Sequence, residues 1–233
     1  MPTRTSSREI SRRSSWSGTI TRTSSIRGLC LVLDEDHLRI DIEQAASLAL
    51  AAGVRLFQYR NKRGSRKDIY ETSLRLAGLL KKAGAVFIVN DHADIALATD
   101  ADGVHLGQDD FPLREARKLL GANKLIGIST HNLEQARAAE SGGADYLGFG
   151  PVFTTTTKDA GLPPGVEQLT LVRRAVALPL LVIGGITGEN AGEAVRAGAD
   201  GVAVISAVLS AQDIAAAAAT MIRQIEKALA QHR

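Results

Sequence analysis

Short apolar runs alternate with stretches of helical periodicity from residue 29 onward. The runs fall at 29–33, 54–59, 86–89, 103–106, 125–128, 146–149, 180–183 and 201–205, each bounded by Gly or polar residues. Runs of that kind predict parallel strands covered on both faces. Between them, apolar positions recur at helical spacing, for example over 42–52, 67–83, 113–120, 133–142 and 190–197. A last helix is predicted over 211–230, where Ile214, Ala218, Met221, Ile222 and Ile225 share one face.

A recurring phrase joins several predicted helices to the next strand: Ala52-Gly53-Val54, Ala83-Gly84-Ala85, Gly143-Ala144-Asp145 and Ala197-Gly198-Ala199-Asp200. Glycine ends a helix by taking left-handed backbone, and the residues after it lead into a buried strand. Eight strands alternating with helices predict an α/β fold, a single (β/α)8 TIM barrel. The competing architecture is an open doubly wound sheet. No Gly-x-Gly-x-x-Gly follows the first strand, so a dinucleotide fold loses its main support.

Barrel enzymes carry their chemistry on the loops after the strands, and the polar residues here concentrate there. Gln58, Arg60 and Lys62 follow strand two, Asn90 and Asp91 strand three, and Gln108, Asp109 and Asp110 strand four; Ser129-Thr130-His131 close strand five. Strand six runs into Thr154-Thr155-Thr156-Thr157-Lys158, strand seven into Gly184-Gly185 and strand eight into Ile205-Ser206. Cations opposite the carboxylates that follow strands three and four suit the gripping of a diphosphate, with those carboxylates able to hold a divalent ion between them. Glycines after strand seven and a helix start after strand eight suit a second phosphate. Two anionic substrates are implied. Structural readings compete: Asp110 as a helix cap, His105 as filler of the barrel interior, Arg63, Arg66 and Lys67 as a solvated face, and Cys30 as core.

Charge is distributed unevenly. The chain carries 28 Lys and Arg against 25 Asp and Glu, but Arg4, Arg8, Arg12, Arg13, Arg22 and Arg27 face only Glu9 within residues 1–27. Rich in Ser and Thr and without apolar periodicity, that stretch is predicted to be a disordered extension, leaving 28–233 as the catalytic barrel. A transit peptide, an upstream start codon, a flexible tail and a nucleic-acid arm are alternative readings of it. The lone Cys30 rules out an internal disulfide and suits a reducing compartment, and no apolar run is long enough to cross a bilayer. A soluble, cytoplasmic protein is expected.

Taken in order, the phrases Gln58-Tyr59-Arg60-Asn61-Lys62, Val89-Asn90-Asp91, Gly103-Val104-His105-Leu106-Gly107-Gln108-Asp109-Asp110, Gly127-Ile128-Ser129, Gly148-Phe149-Gly150-Pro151-Val152-Phe153, Thr155-Thr156-Thr157-Lys158, Gly184-Gly185-Ile186 and Val204-Ile205-Ser206 resemble the thiamine phosphate synthase (thiamine-phosphate pyrophosphorylase) family. The resemblance covers about residues 29–209. It implies a transferase that joins a hydroxymethylpyrimidine diphosphate to a thiazole phosphate, releasing pyrophosphate by a dissociative path and yielding thiamine phosphate. By the same resemblance, Gln58, Arg60, Lys62, Asn90, Ser129 and Lys158 hold the pyrimidine diphosphate, and Arg60, Lys62, Ser129 and Lys158 serve the chemistry. Asp91 and Asp110 bind Mg²⁺, while Thr155, Thr156, Thr157, Gly185, Ile205 and Ser206 cradle the thiazole phosphate. The implied partners are small molecules, without nucleic acid or membrane; homo-oligomerisation is left open.

Two departures stand out from the family pattern: His92 after Asn90-Asp91, and Leu29-Cys30-Leu31-Val32-Leu33-Asp34 in the first strand, where Tyr and Thr are more usual. A thiazole tautomerase would not need Arg60, Lys62, Asp91, Asp110 and Lys158 together. A non-catalytic phosphate sensor would bind without Mg²⁺-dependent turnover, and a nucleic-acid binder would depend on residues 1–27.

Overall fold

Eight strands close into one parallel barrel in chain order. They are β1 (Gly28–Asp34), β2 (Leu56–Arg60), β3 (Val86–Asn90), β4 (Gly103–Leu106), β5 (Leu125–Thr130), β6 (Tyr146–Phe149), β7 (Leu180–Val182) and β8 (Gly201–Val204). The seam is the β1–β8 pair, with Gly28 opposite Gly201 and Leu31 opposite Val204. The structure is a computed structural model that describes residues 22–154 and 165–231.

The helices are α1 (Ile42–Ala51), α2 (Arg66–Lys82), α3 (Ala93–Ala98), α4 (Leu113–Leu120), α5 (Leu133–Ser141), α6 (Gly165–Ala175), α7 (Ala191–Arg196), α8 (Ser206–Leu209) and α9 (Ile214–Ala230). Side-chain oxygens start several of them. Ser65 and Asp68 form a capping box on α2, and Asp41 and Asn132 cap α1 and α5. The long last helix expected from 211 begins instead at Ile214, because the Asp213 carboxylate accepts from the Ala216 amide and caps it there. The short α8 precedes it.

Side-chain alternation sorts the core into two layers. Leu31, Leu33, Phe57, Tyr59, Phe87 and Val89 point outward and pack with helix residues such as Ala45, Leu76 and Ile225. Inside the barrel lie Cys30, Val32, Leu56, Ile88, Leu125, Tyr146, Leu181 and Ala203. Ile26 joins this inner cluster and is 1% exposed. The described chain is thus built into the barrel ahead of the compositional boundary at residue 27, with a 3-10 turn at Arg22–Ser25. Residues 1–21, most of the extension expected to be disordered, lie outside the described residues.

The Asp residues just before β4, β6 and β8 have a task at the amino-terminal face. Asp145 accepts from the Ile126 amide (2.7 Å) and from Arg117 (2.5 Å). Asp200 does the same for the Leu180 amide (2.9 Å) and Arg173 (3.0 Å). Asp102 accepts from the Phe87 amide (2.8 Å). Each carboxylate ties the start of its own strand to the start of the preceding one by accepting from a backbone amide there.

Candidate active site

A cleft of ≈ 960 Å³ opens at the carboxyl ends of the strands, a volume in the range of small-molecule sites. It collects Gln58, Arg60, Lys62, Asn90, Asp91, Asp110, Ser129, Gly185, Ile205 and Ser206. Lys158 and the threonines Thr155, Thr156 and Thr157 lie outside the described residues.

Residues 58, 60 and 62 follow the inward alternation of β2. Gln58 is buried. Arg60 Nη1 donates to Asp34 Oδ2, and Lys62 Nζ donates to Asp91 Oδ2. Asp34 stands opposite Arg60 in the β1–β2 register. Glu35, next along, accepts from the Tyr59 hydroxyl (2.6 Å) and the Asn61 amide (2.9 Å), and burial first, then that carboxylate, pushes the Tyr59 phenol up. The Asn61 carbonyl in turn accepts from the Gly64 amide (2.7 Å), shaping the loop toward α2.

Asp91 follows β3 with φ 65°, in left-handed backbone, and its amide donates to the His105 carbonyl (2.8 Å). Its carboxyl shares a hydrogen bond with Asp110. Burial, then that contact, pushes Asp91 up against the opposing pull of Lys62. Burial also acts to raise Asp110, but the contact with Asp91 and the hydrogen bond from the Gly107 amide (2.6 Å) outweigh it and hold Asp110 low. Two carboxyl groups side by side fit a divalent cation, whose shell ligand oxygens and water would complete. Among the described residues no group of three or more His, Cys, Asp or Glu could hold a metal. The pair therefore suits an ion completed by its ligand.

The floor is polar and connected. His105 bridges Tyr146 (3.1 Å) and Ser129 Oγ (3.0 Å). Burial pushes its imidazole down to about 4, so at neutral pH the ring is uncharged, one nitrogen donating and the other accepting. Gly127 makes room for it: a Cβ there would lie 2.1 Å from the Tyr146 ring and 2.5 Å from His105. Gln108 donates to the Ser129 carbonyl (2.6 Å). His131 contacts the Gly150 carbonyl (2.5 Å), orienting the loop after β5.

Across the cleft, the loops after β6 and β7 meet backbone to backbone. The Phe153 amide donates to the Gly184 carbonyl (3.0 Å), and the Asn190 side chain donates through Nδ2 to the Gly185 carbonyl (2.8 Å). Gly185 has φ 65°, and a Cβ on it would meet the Thr154 carbonyl at 2.3 Å. Ile205 leads into α8, whose first residue is Ser206. Sequence reasoning did not single out Asp34, Glu35 or Tyr146. The signal available for Asp34 was a charged residue closing an apolar strand whose neighbour ends in Arg60.

Fold and cleft define the class: a (β/α)8 barrel with a charged site at the mouth formed by its strand-following loops. Residues 29–208 match the family model described as thiamine monophosphate synthase. The chain is similar to the thiamine-phosphate synthase of Chloroflexus aurantiacus, 52% identical over 171 residues, covering 73% of this chain and 79% of the relative. It is also similar to that of Chlorobium phaeovibrioides, 46% identical over 202 residues, covering 86% and 95%. Among solved structures, the thiamine phosphate pyrophosphorylase from Pyrococcus furiosus superposes with a TM-score of 0.81 at 36% identity, over 88% of this chain and 98% of that one. The chain belongs to the thiamine monophosphate synthase family.

Proposed function

We propose that the chain joins a hydroxymethylpyrimidine diphosphate to a thiazole phosphate, forming thiamine phosphate and pyrophosphate. The observation that carries this reading is the convergence of Arg60, Lys62 and the Asp91–Asp110 pair on the cleft that Gly185, Ile205 and Ser206 line from the other side. Family membership supports it independently.

Asp91 and Asp110 are the residues that would hold Mg²⁺, which when bound supplies positive charge to the oxygens of the diphosphate. Arg60 and Lys62 contribute charge from the β2 side, where negative charge grows as the carbon–oxygen bond breaks. Ser129, held by the neutral His105, positions the pyrimidine over the floor. Gly185 with Ile205 and Ser206 anchors the thiazole phosphate, so that the ring nitrogen faces the exposed methylene and attacks it. The electron-rich aminopyrimidine stabilises the methylene cation, so no nucleophilic Ser or Cys is required. Cys30, buried within the barrel with its thiol pushed up to about 12 by burial, stays a thiol.

Among the described residues no helix is long and apolar enough to cross a membrane. We place the reaction in the cytoplasm, acting on small molecules rather than nucleic acid. Incubation with both heterocycles, with and without Mg²⁺, should give thiamine phosphate and stoichiometric pyrophosphate only when the metal is present. Absence of product with both substrates and metal would refute the reading.

A further inference from the structure

We propose that Asp34 is a positioning residue of the diphosphate subsite, fixing the Arg60 guanidinium at the mouth; this rests on the function proposed above. Asp34 and Arg60 are register partners at the ends of β1 and β2, and their side chains meet inside the barrel rim. The Asp34 side chain is 2% exposed and that of Arg60 is 26% exposed. Both carboxylate oxygens are engaged. Oδ2 accepts from Arg60, while Oδ1 accepts from the Asp36 amide (3.0 Å) and contacts His37 Nδ1 (3.3 Å). The carboxylate is thereby locked, and what it locks in turn is the guanidinium. A guanidinium presents five N–H donors in a rigid fork, so a contact through Nη1 orients the group without exhausting it.

The residues on either side of Arg60 are held as well. Glu35 takes Tyr59 and Asn61 on the outer side of the same strand end, leaving Arg60 little freedom except through its own side chain. Removing Asp34 frees precisely that side chain's torsions, which must then be fixed by the ligand at an entropic cost. A carboxylate beside an anion site also repels the anion. The two effects have opposite signs, and this makes the assignment testable: positioning predicts weaker diphosphate binding without Asp34, and simple repulsion predicts tighter binding.

The test is calorimetric titration of the full chain with pyrophosphate in the presence of Mg²⁺, and of the thiazole phosphate separately, for wild type, Asp34→Asn, Arg60→Ala and the double variant. Asp34→Asn keeps the size and most hydrogen bonds of the original. It should weaken pyrophosphate roughly 10- to 100-fold, as small misplacements of a binding group do, and leave the thiazole phosphate unchanged. In the double variant the Asp34 change should add almost nothing to Arg60→Ala, since the effect passes through the guanidinium. Unchanged or tighter pyrophosphate binding by Asp34→Asn, equal losses for both ligands, or additive effects would each overturn the proposal. Should Asp34→Asn fail to fold, Asp34→Glu is the second variant: it keeps the charge while displacing it, and wild-type pyrophosphate affinity there would likewise overturn it. Pyrophosphate binding without any thiamine phosphate formation would sink the proposed function while leaving the Asp34 measurement intact.

Discussion

Asp91 spends about 1–2 kcal/mol on left-handed backbone, the usual penalty for an L-residue there, at φ 65°. Asn tolerates the same backbone. Asp91→Asn should therefore keep the wild-type melting temperature while Mg²⁺-dependent turnover falls by about 100-fold or more; preserved turnover would remove Asp91 from the proposed metal site. His105 offers a second readout at this scale. Its imidazole lies at about 4 in the fold against 6.5 for the free side chain, so on acidification the unfolded chain takes up a proton first. Stability from the neutral ring is complete above about pH 6.5 and is lost as pH falls toward 4, on the order of 3 kcal/mol across that window. Denaturant unfolding at pH 7 and pH 4.5 should show a larger loss in wild type than in His105→Gln. Equal losses would contradict a buried uncharged ring.

At the scale of elements, the barrel's two ends separate stability from chemistry. Asp145 joins the starts of β5 and β6 through the Ile126 amide and Arg117. Asp145→Ala should cost about 1–3 kcal/mol, the penalty of an unmet buried donor, with the KM values of both substrates unchanged; a substrate-selective effect would argue against a purely structural tie. Gly185 acts at the opposite end, where its Cα approaches the Thr154 carbonyl. Gly185→Ala strains left-handed backbone and pushes the β6 and β7 loops apart. The thiazole KM should rise about tenfold or more with the pyrimidine KM little changed, and steady-state kinetics with each substrate varied in turn would show it.

For the molecule as a whole, the strand order was readable because strands covered on both faces give unbroken apolar runs, and the helices because their inner faces repeat. Strand ends slipped by a residue or two, as at Asn90 and Thr130, since pairing continues into polar residues that line the mouth. The six-residue α3 is too short to show a period. The cleft residues were legible as types after strands, whereas the Asp34–Arg60 pair depends on register between strands. The His105–Tyr146 contact depends on the empty space at Gly127. Ile26 is one apolar residue in a polar stretch, with no pattern to reveal that it fills the barrel. Ile26→Ala should open a cavity there and cost about 2–5 kcal/mol, and thermal unfolding would register it; an unchanged melting temperature would mean that the barrel closes without it.

Lys62 reaches across to Asp91, so an exposed cation of the cleft already has a counter-charge of its own. An incoming diphosphate that recruits the ammonium leaves two acidic groups facing each other, and a divalent ion that recruits the acids leaves the ammonium unpaired. Each guest thus vacates the seat the other needs, and the two should load together far more readily than either does alone.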